Sequence, residues 1–185
     1  VIPGALERLF HFVGGDGGPW RIVRSDAIRG EGLAPAARLD VVQGDHVPGP
    51  SAWALRGVTS HERYVTRAEK TSLVAAQEAI GRPHAPRGAL IPIRKSAAWW
   101  ALTQDERRAI LEERSAHIAI GLEYLPAVAR RLHHARDLGE PFDFLTWFDY
   151  RAEDEGRFDE LVGRLRETEE WKYVEREVDV RVTRD

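Results

Sequence analysis

In SAHIAIGLEYLPAVARR, residues 115–131, a histidine and an arginine stand on either side of Pro126 in an otherwise apolar segment. An imidazole in apolar surroundings is either a packed core side chain or a metal ligand, because its neutral form keeps one ring nitrogen as an acceptor. A guanidinium has five fixed N–H donors and no lone pair, so it clamps an anion and leaves a neighbouring metal alone. On an unbroken helix His117 and Arg130 would be about 20 Å apart along the axis and about 220° apart in azimuth, too far to share a small ligand. A break at Pro126 lets the second element fold back, so that the pair can address a planar cofactor from opposite sides. The residues alone leave both uses of His117 open.

The stretch LIPIRKSAAWWALTQDERR carries Lys95, Trp99 and Trp100. Adjacent tryptophans point in different directions and can line a pocket as well as fill a core. A lysine just after a buried strand snorkels to solvent by default. Glu169, Glu170 and Trp171 close the last long helix, where carboxylates oppose the macrodipole and so need a partner. His133 and His134 in RRLHHARD would be about 100° apart on a helix and cannot both ligate one ion. The loop GGDGGP at 14–19 is followed by neither Gly-Lys-Ser/Thr nor a helix, so it reads as a turn and not a phosphate cradle.

These residues need elements to hold them. Residues 1–50 are rich in glycine and proline, and only the runs LFHFV and WRIV suggest strands. WALRGVTSHERYV reads as a strand region from Trp53, and Thr66 with Glu69 forms a capping box that opens a helix to about Gly81. ALIPIRK at 89–95 reads as a buried strand, and Thr103 with Glu106 caps a helix through Arg114. Pro126 suits the first turn of a further helix, PAVARRLHHARD. DFLTWFDY is an aromatic strand, and Phe158, Leu161, Val162 and Leu165 mark a helix. Val174, Val178, Val180 and Val182 then alternate with charged residues, as in a half-buried strand with one wet face. Strand, helix, strand thus appears twice, at 53–95 and 143–183, which predicts an α+β fold of ferredoxin-like type.

Composition narrows the function. With 185 residues, 43% hydrophobic and 31% charged, the chain is globular. A net charge of -3 gives no basic field for nucleic acid, and no apolar run approaches the roughly 18 residues of a membrane span. The chain has no cysteine and no methionine, so thiolate and thioether ligation are absent and soft-metal chemistry must rest on histidine. The lack of both sulfur residues suits exposure to strong oxidants, and it equally suits biased base composition. The start VIPGALERLFHFVGG is no recognisable signal peptide, which makes the cytoplasm the expected location.

Taken together, IPIRKSAAWWALTQDERRAI, SAHIAIGLEYLPAVARRLHHARDLGEPFDFLTWFDY and RLRETEEWKYVEREVDVR resemble the short, dimeric branch of the chlorite dismutase family over about residues 53–183. The resemblance implies one haem-binding domain over 1–185, with an abbreviated part at 1–52 and a ferredoxin-like α+β core at 53–183. Two ferredoxin-like halves would form the α+β barrel of a homodimer. It also implies haem b, with chlorite or another small oxyanion as substrate, and decomposition of chlorite to chloride and dioxygen through O–Cl cleavage to a ferryl species and recombination with held hypochlorite.

On that resemblance His117 is the proximal iron ligand, Glu170 accepts a hydrogen bond from its other ring nitrogen, and Lys95 lies close to the carboxylate. Trp99 and Trp100 lie beside the haem or the subunit contact, and Tyr64 in SHERYV matches a tyrosine that holds a haem propionate. Arg130 matches the distal arginine of the chlorite-degrading members, and Thr146 and Phe148 line its pocket. The competing uses are a peroxide-dependent haem enzyme or coproheme decarboxylase, which keeps His117 but uses the distal side differently, and a haem-binding or haem-sensing module without turnover.

Overall fold

The computed structural model describes residues 6–46, 49–59, 66–76 and 81–184, apart from the side chains of 72–76. Eight strands form one closed antiparallel barrel in the order β1-β3-β2-β8-β5-β7-β6-β4. They are β1 Leu9–Gly15, β2 Trp20–Arg29, β3 Arg38–Gln43, β4 Trp53–Val58, β5 Arg87–Lys95, β6 Ala129–His134, β7 Phe144–Tyr150 and β8 Val174–Thr183. The helices are α1 Arg67–Ala76, α2 Ala97–Ala101, α3 Gln104–Arg108, α4 His117–Glu123 and α5 Glu155–Arg166. Strands β4-β1-β3-β2 and β8-β5-β7-β6 repeat one order, fourth, first, third, second. The second set carries α2–α4 after its first strand and α5 after its third.

The barrel interior is filled by residues of one parity, including Phe12, Leu39, Leu55, Leu90, Leu145, Trp147, Val178 and Val180. The opposite parity on β5 and β7, with Ala89, Ile91, Ile93, Phe148 and Tyr150, packs against Ile120 of α4 and Phe158, Leu161 and Leu165 of α5. Glycine in the GGDGG turn has a reason: β1 and β2 flank β3, so the turn crosses the end of β3. A Cβ on Gly18, at φ +110°, would lie 2.5 Å from the Leu39 carbonyl oxygen.

Four expectations are corrected. PAVARRLHHARD is not a helix; its residues 129–134 are β6, paired along β7 from Ala129 opposite Asp149 to His134 opposite Phe144. Its alanine, arginine and leucine favour helix locally, but the unpaired edge of the aromatic strand β7 outweighs that preference. His133 and His134 therefore point to opposite faces, and His133 is buried between Phe10 and Phe12. The charged face of β8 is wet only at Glu175: Glu177, Asp179 and Arg181 are buried under α5, where Arg166 bonds to Glu177 and Asp179, and Arg181 to Asp179. Paired charges make burial tolerable. The last long helix ends at Arg166, and Glu170–Tyr173 forms a separate 3₁₀ turn. The segment 53–95 is no packed strand–helix–strand unit, since β4 lies between β1 and β6 while β5 lies between β8 and β7.

Candidate active site

His117 is the first residue of α4, and the way this helix starts sets its direction. Residues Ala109–Arg114 form a π-helical turn, and Ala116 then takes a left-handed backbone (φ 51°), a sharp corner that costs an L-residue about 1–3 kcal/mol. Ala116 has no side chain to cap the helix. Glu112 does so from the preceding turn, accepting from Ile118 N–H at 2.7 Å and Ala119 N–H at 3.3 Å. The Oγ of buried Ser115 accepts the Glu170 N–H at 3.0 Å, which ties this corner to the 3₁₀ turn.

The two carboxylate oxygens of Glu170 organise the groups around His117. The His117 Nδ1–H donates to Glu170 Oε2 at 2.6 Å, and Lys95 Nζ donates to Glu170 Oε1 at 2.6 Å. Lys95 shares the parity of Ile91 and Ile93 and so faces the helices rather than solvent. Burial pushes the Glu170 carboxyl up in pKa, but His117 and then Lys95 outweigh it and bring it down to about 2. Burial pulls the Lys95 ammonium below its usual value while Glu170 holds it up. The ammonium 2.6 Å away favours the carboxylate form of Glu170, and a carboxylate accepts only, so a neutral His117 bonded to it carries its hydrogen on Nδ1 and keeps Nε2 as the lone-pair donor. Trp171 stacks on the His117 ring (centroids 6.2 Å, 22°), Trp99 lies 4.3 Å from the Lys95 ammonium, and the imidazole is 27% exposed.

A second patch lies on the outer face of β6 and β7. Arg130 is opposite Phe148 and Leu132 opposite Thr146, so these four side chains share one face, with Leu132 45% exposed. The Arg130 guanidinium reaches α4: a Cβ on Gly121, one helical turn beyond His117, would lie 1.8 Å from its Nη1. Burial lowers the Arg130 pKa, and Glu112 raises it. Trp100 sits apart from Trp99, stacked on Phe144, with the guanidinium groups of Arg136 and Arg107 4.1 and 5.0 Å from its ring centroid. Its Nε1–H donates at 3.1 Å to Asp143 Oδ2, which also accepts the Lys95 backbone N–H at 2.7 Å.

The structure therefore brings Lys95, Glu170, His117 and Trp99 into one cluster, and Arg130, Thr146 and Phe148 into a neighbouring one joined to it through α4. The sequence model of the chlorite dismutase family matches residues 49–185. The chain belongs to the chlorite dismutase family. A curated chlorite dismutase from Ideonella dechloratans is 34% identical over 122 residues, which cover 65% of this chain and 41% of that protein's length. A solved dimeric chlorite dismutase from Nitrobacter winogradskyi is 56% identical with a TM-score of 0.89, over 95% of this chain and 99% of that one. A mutant chlorite dismutase from Candidatus Nitrospira defluvii in complex with cyanide, 21% identical with a TM-score of 0.66, covers 96% of this chain and 90% of that one and shares the fold.

Tyr64 lies outside the described residues. Ser115, Glu112, Gly121, Leu132 and Asp143 were not among the residues the sequence singled out. Gly121 was open to detection, as a glycine inside an apolar helix; Leu132 was hidden by reading β6 as a helix. The roles of Glu112 and Asp143 depend on contacts that sequence spacing does not encode.

Proposed function

We propose that this family member is a haem b enzyme that decomposes chlorite to chloride and dioxygen, working as a homodimer whose barrel joins two ferredoxin-like halves. The observation that carries the proposal is the Lys95–Glu170–His117 chain, an imidazole whose Nδ1 is committed to a buried carboxylate. The donor set fits haem. His117 offers Nε2 from a part-exposed ring, and Leu132, an apolar side chain left exposed on the outer face of β6, offers a surface to a planar apolar group. Haem iron, when bound, supplies the redox chemistry that breaks the O–Cl bond and forms the O–O bond.

The protein's own residues have distinct tasks in this reading. Glu170 keeps the proton on Nδ1 and makes His117 a stronger donor, while the Lys95 ammonium keeps Glu170 an anion against the burial that opposes its charge. Arg130 offers donors to an oxychlorine anion and, having no lone pair, leaves the iron open. Thr146, Phe148 and Leu132 share the face of Arg130 and would line the place where the anion is held. The repeated strand order supports the ferredoxin-like halves, with short connections in the first set where the second has helices. The likeness to the dimeric Nitrobacter winogradskyi enzyme over its whole length supports the homodimer. The test is to load the protein with haem, add chlorite and follow dioxygen with an electrode. Rapid stoichiometric oxygen supports the proposal, and an inert holoprotein turns the assignment to a haem-binding module.

A further inference from the structure

The turn between α4 and β6 sets how far Arg130 stands from His117, and one buried side chain holds that turn. Arg82, 8% exposed, donates from Nη1 to the Pro126 carbonyl at 2.9 Å and from Nη2 to the Ala127 carbonyl at 3.1 Å. The same guanidinium donates from Nε to Asp149 Oδ1 and from Nη2 to the Asp149 carbonyl, both at 3.0 Å. Asp149 is fully buried, and its Oδ2 accepts the Gly81 N–H at 2.7 Å. Asp149 lies opposite Ala129, the rung next to the Arg130–Phe148 rung.

We propose that Arg82, acting with Asp149, is a positioning residue for Arg130. The inference rests on the reading that Arg130 faces the substrate anion. A planar fork that binds two successive carbonyls and one carboxylate fixes the start of β6 against β7 as a unit, and a lysine, a point charge on a flexible stem, cannot reproduce it. The tolerance is small, because the Arg130 guanidinium already occupies the space where a Cβ on Gly121 would stand. A displacement of about 1 Å in a group that orients a reacting species can cost about 10²-fold in rate. Arg82 therefore affects the reaction without touching the substrate.

The test is a double-mutant cycle in the haem-loaded enzyme, with Arg82→Lys and Asp149→Asn each made alone and together with Arg130→Ala. The readouts are kcat/KM for chlorite and the Kd values of azide, an anion that a guanidinium can bind, and of imidazole, a neutral ligand. In the Arg130 background either variant is expected to lower kcat/KM about tenfold and to weaken azide about fivefold, with imidazole within about twofold and haem retained. In the Arg130→Ala background neither should add more than about twofold. Equal losses in both backgrounds, or for azide and imidazole alike, would assign Arg82 to the scaffold and overturn the inference. So would full activity in both variants. If Arg130→Ala alone leaves turnover and azide unchanged, the substrate-facing reading fails, and the positioning role with it; Asp149→Asn carries the cycle if Arg82→Lys does not fold.

Discussion

The Arg130 guanidinium lies against the bare Cα of Gly121, so the helix that begins with His117 and the strand that carries Arg130 meet where a side chain would not fit. The glycine sets how closely the two elements approach.

Gly121→Ala should therefore act on Arg130 before it acts on the fold. The Cβ can be accommodated only by swinging the guanidinium aside, since that is the flexible end of the contact. We expect kcat/KM for chlorite to fall about tenfold or more while haem binding changes little. Steady-state oxygen evolution and a haem titration on the same preparation check this. Unchanged turnover would show that Arg130 does not need its place beside α4.

Glu170→Gln removes the charge that Lys95 and His117 share. It leaves an ammonium buried without its counter-ion, a loss of about 3–5 kcal/mol. Denaturant midpoints should drop accordingly, and Lys95→Met in the same chain should recover part of the loss by removing the stranded charge. A double variant no more stable than Glu170→Gln alone would contradict the ion pair as the main element of this cluster.

Acid should weaken the fold through two groups with the same sign. His133 is buried between Phe10 and Phe12, its Nδ1–H bonded to the Leu145 carbonyl and its Nε2 without a partner among the described residues. Burial lowers its pKa from 6.5 to about 4. The unfolded chain thus binds a proton that the folded one refuses between those values, and stability is full above 6.5 and lost as pH falls towards 4, by roughly 3 kcal/mol. Glu170, depressed to about 2, extends the loss from the usual carboxylate range downward. Urea melts at pH 7 and 4.5 should show the decline, and His133→Leu should flatten it between pH 6.5 and 4. An equally steep decline in that variant would exclude His133 as its source.

Much of this fold was legible where local signals and tertiary packing agree. Both capping boxes exist, with the Thr66 N–H bonded to Glu69 and the Thr103 N–H to Glu106, and β5, β7 and α5 lie where periodicity put them. β6 reads as helix in the sequence because Ala129, Arg130, Arg131 and Leu132 are good helix formers, and only pairing with β7 overrides that local preference. The wet face expected for β8 failed because Arg166, which covers Glu177 and Asp179, lies a turn and a helix end away in sequence. The Lys95–Glu170–His117 cluster joins residues 75 and 53 positions apart, a juxtaposition that only the barrel's order of strands produces.

The central claim, that His117 Nε2 is the protein's donor to haem iron, is tested most directly by titrating haem into His117→Gly with and without free imidazole. The variant is expected to lose haem on a desalting column, and added imidazole to restore both retention and the wild-type ferric spectrum. A variant that holds haem with an unchanged spectrum in the absence of imidazole would contradict the claim.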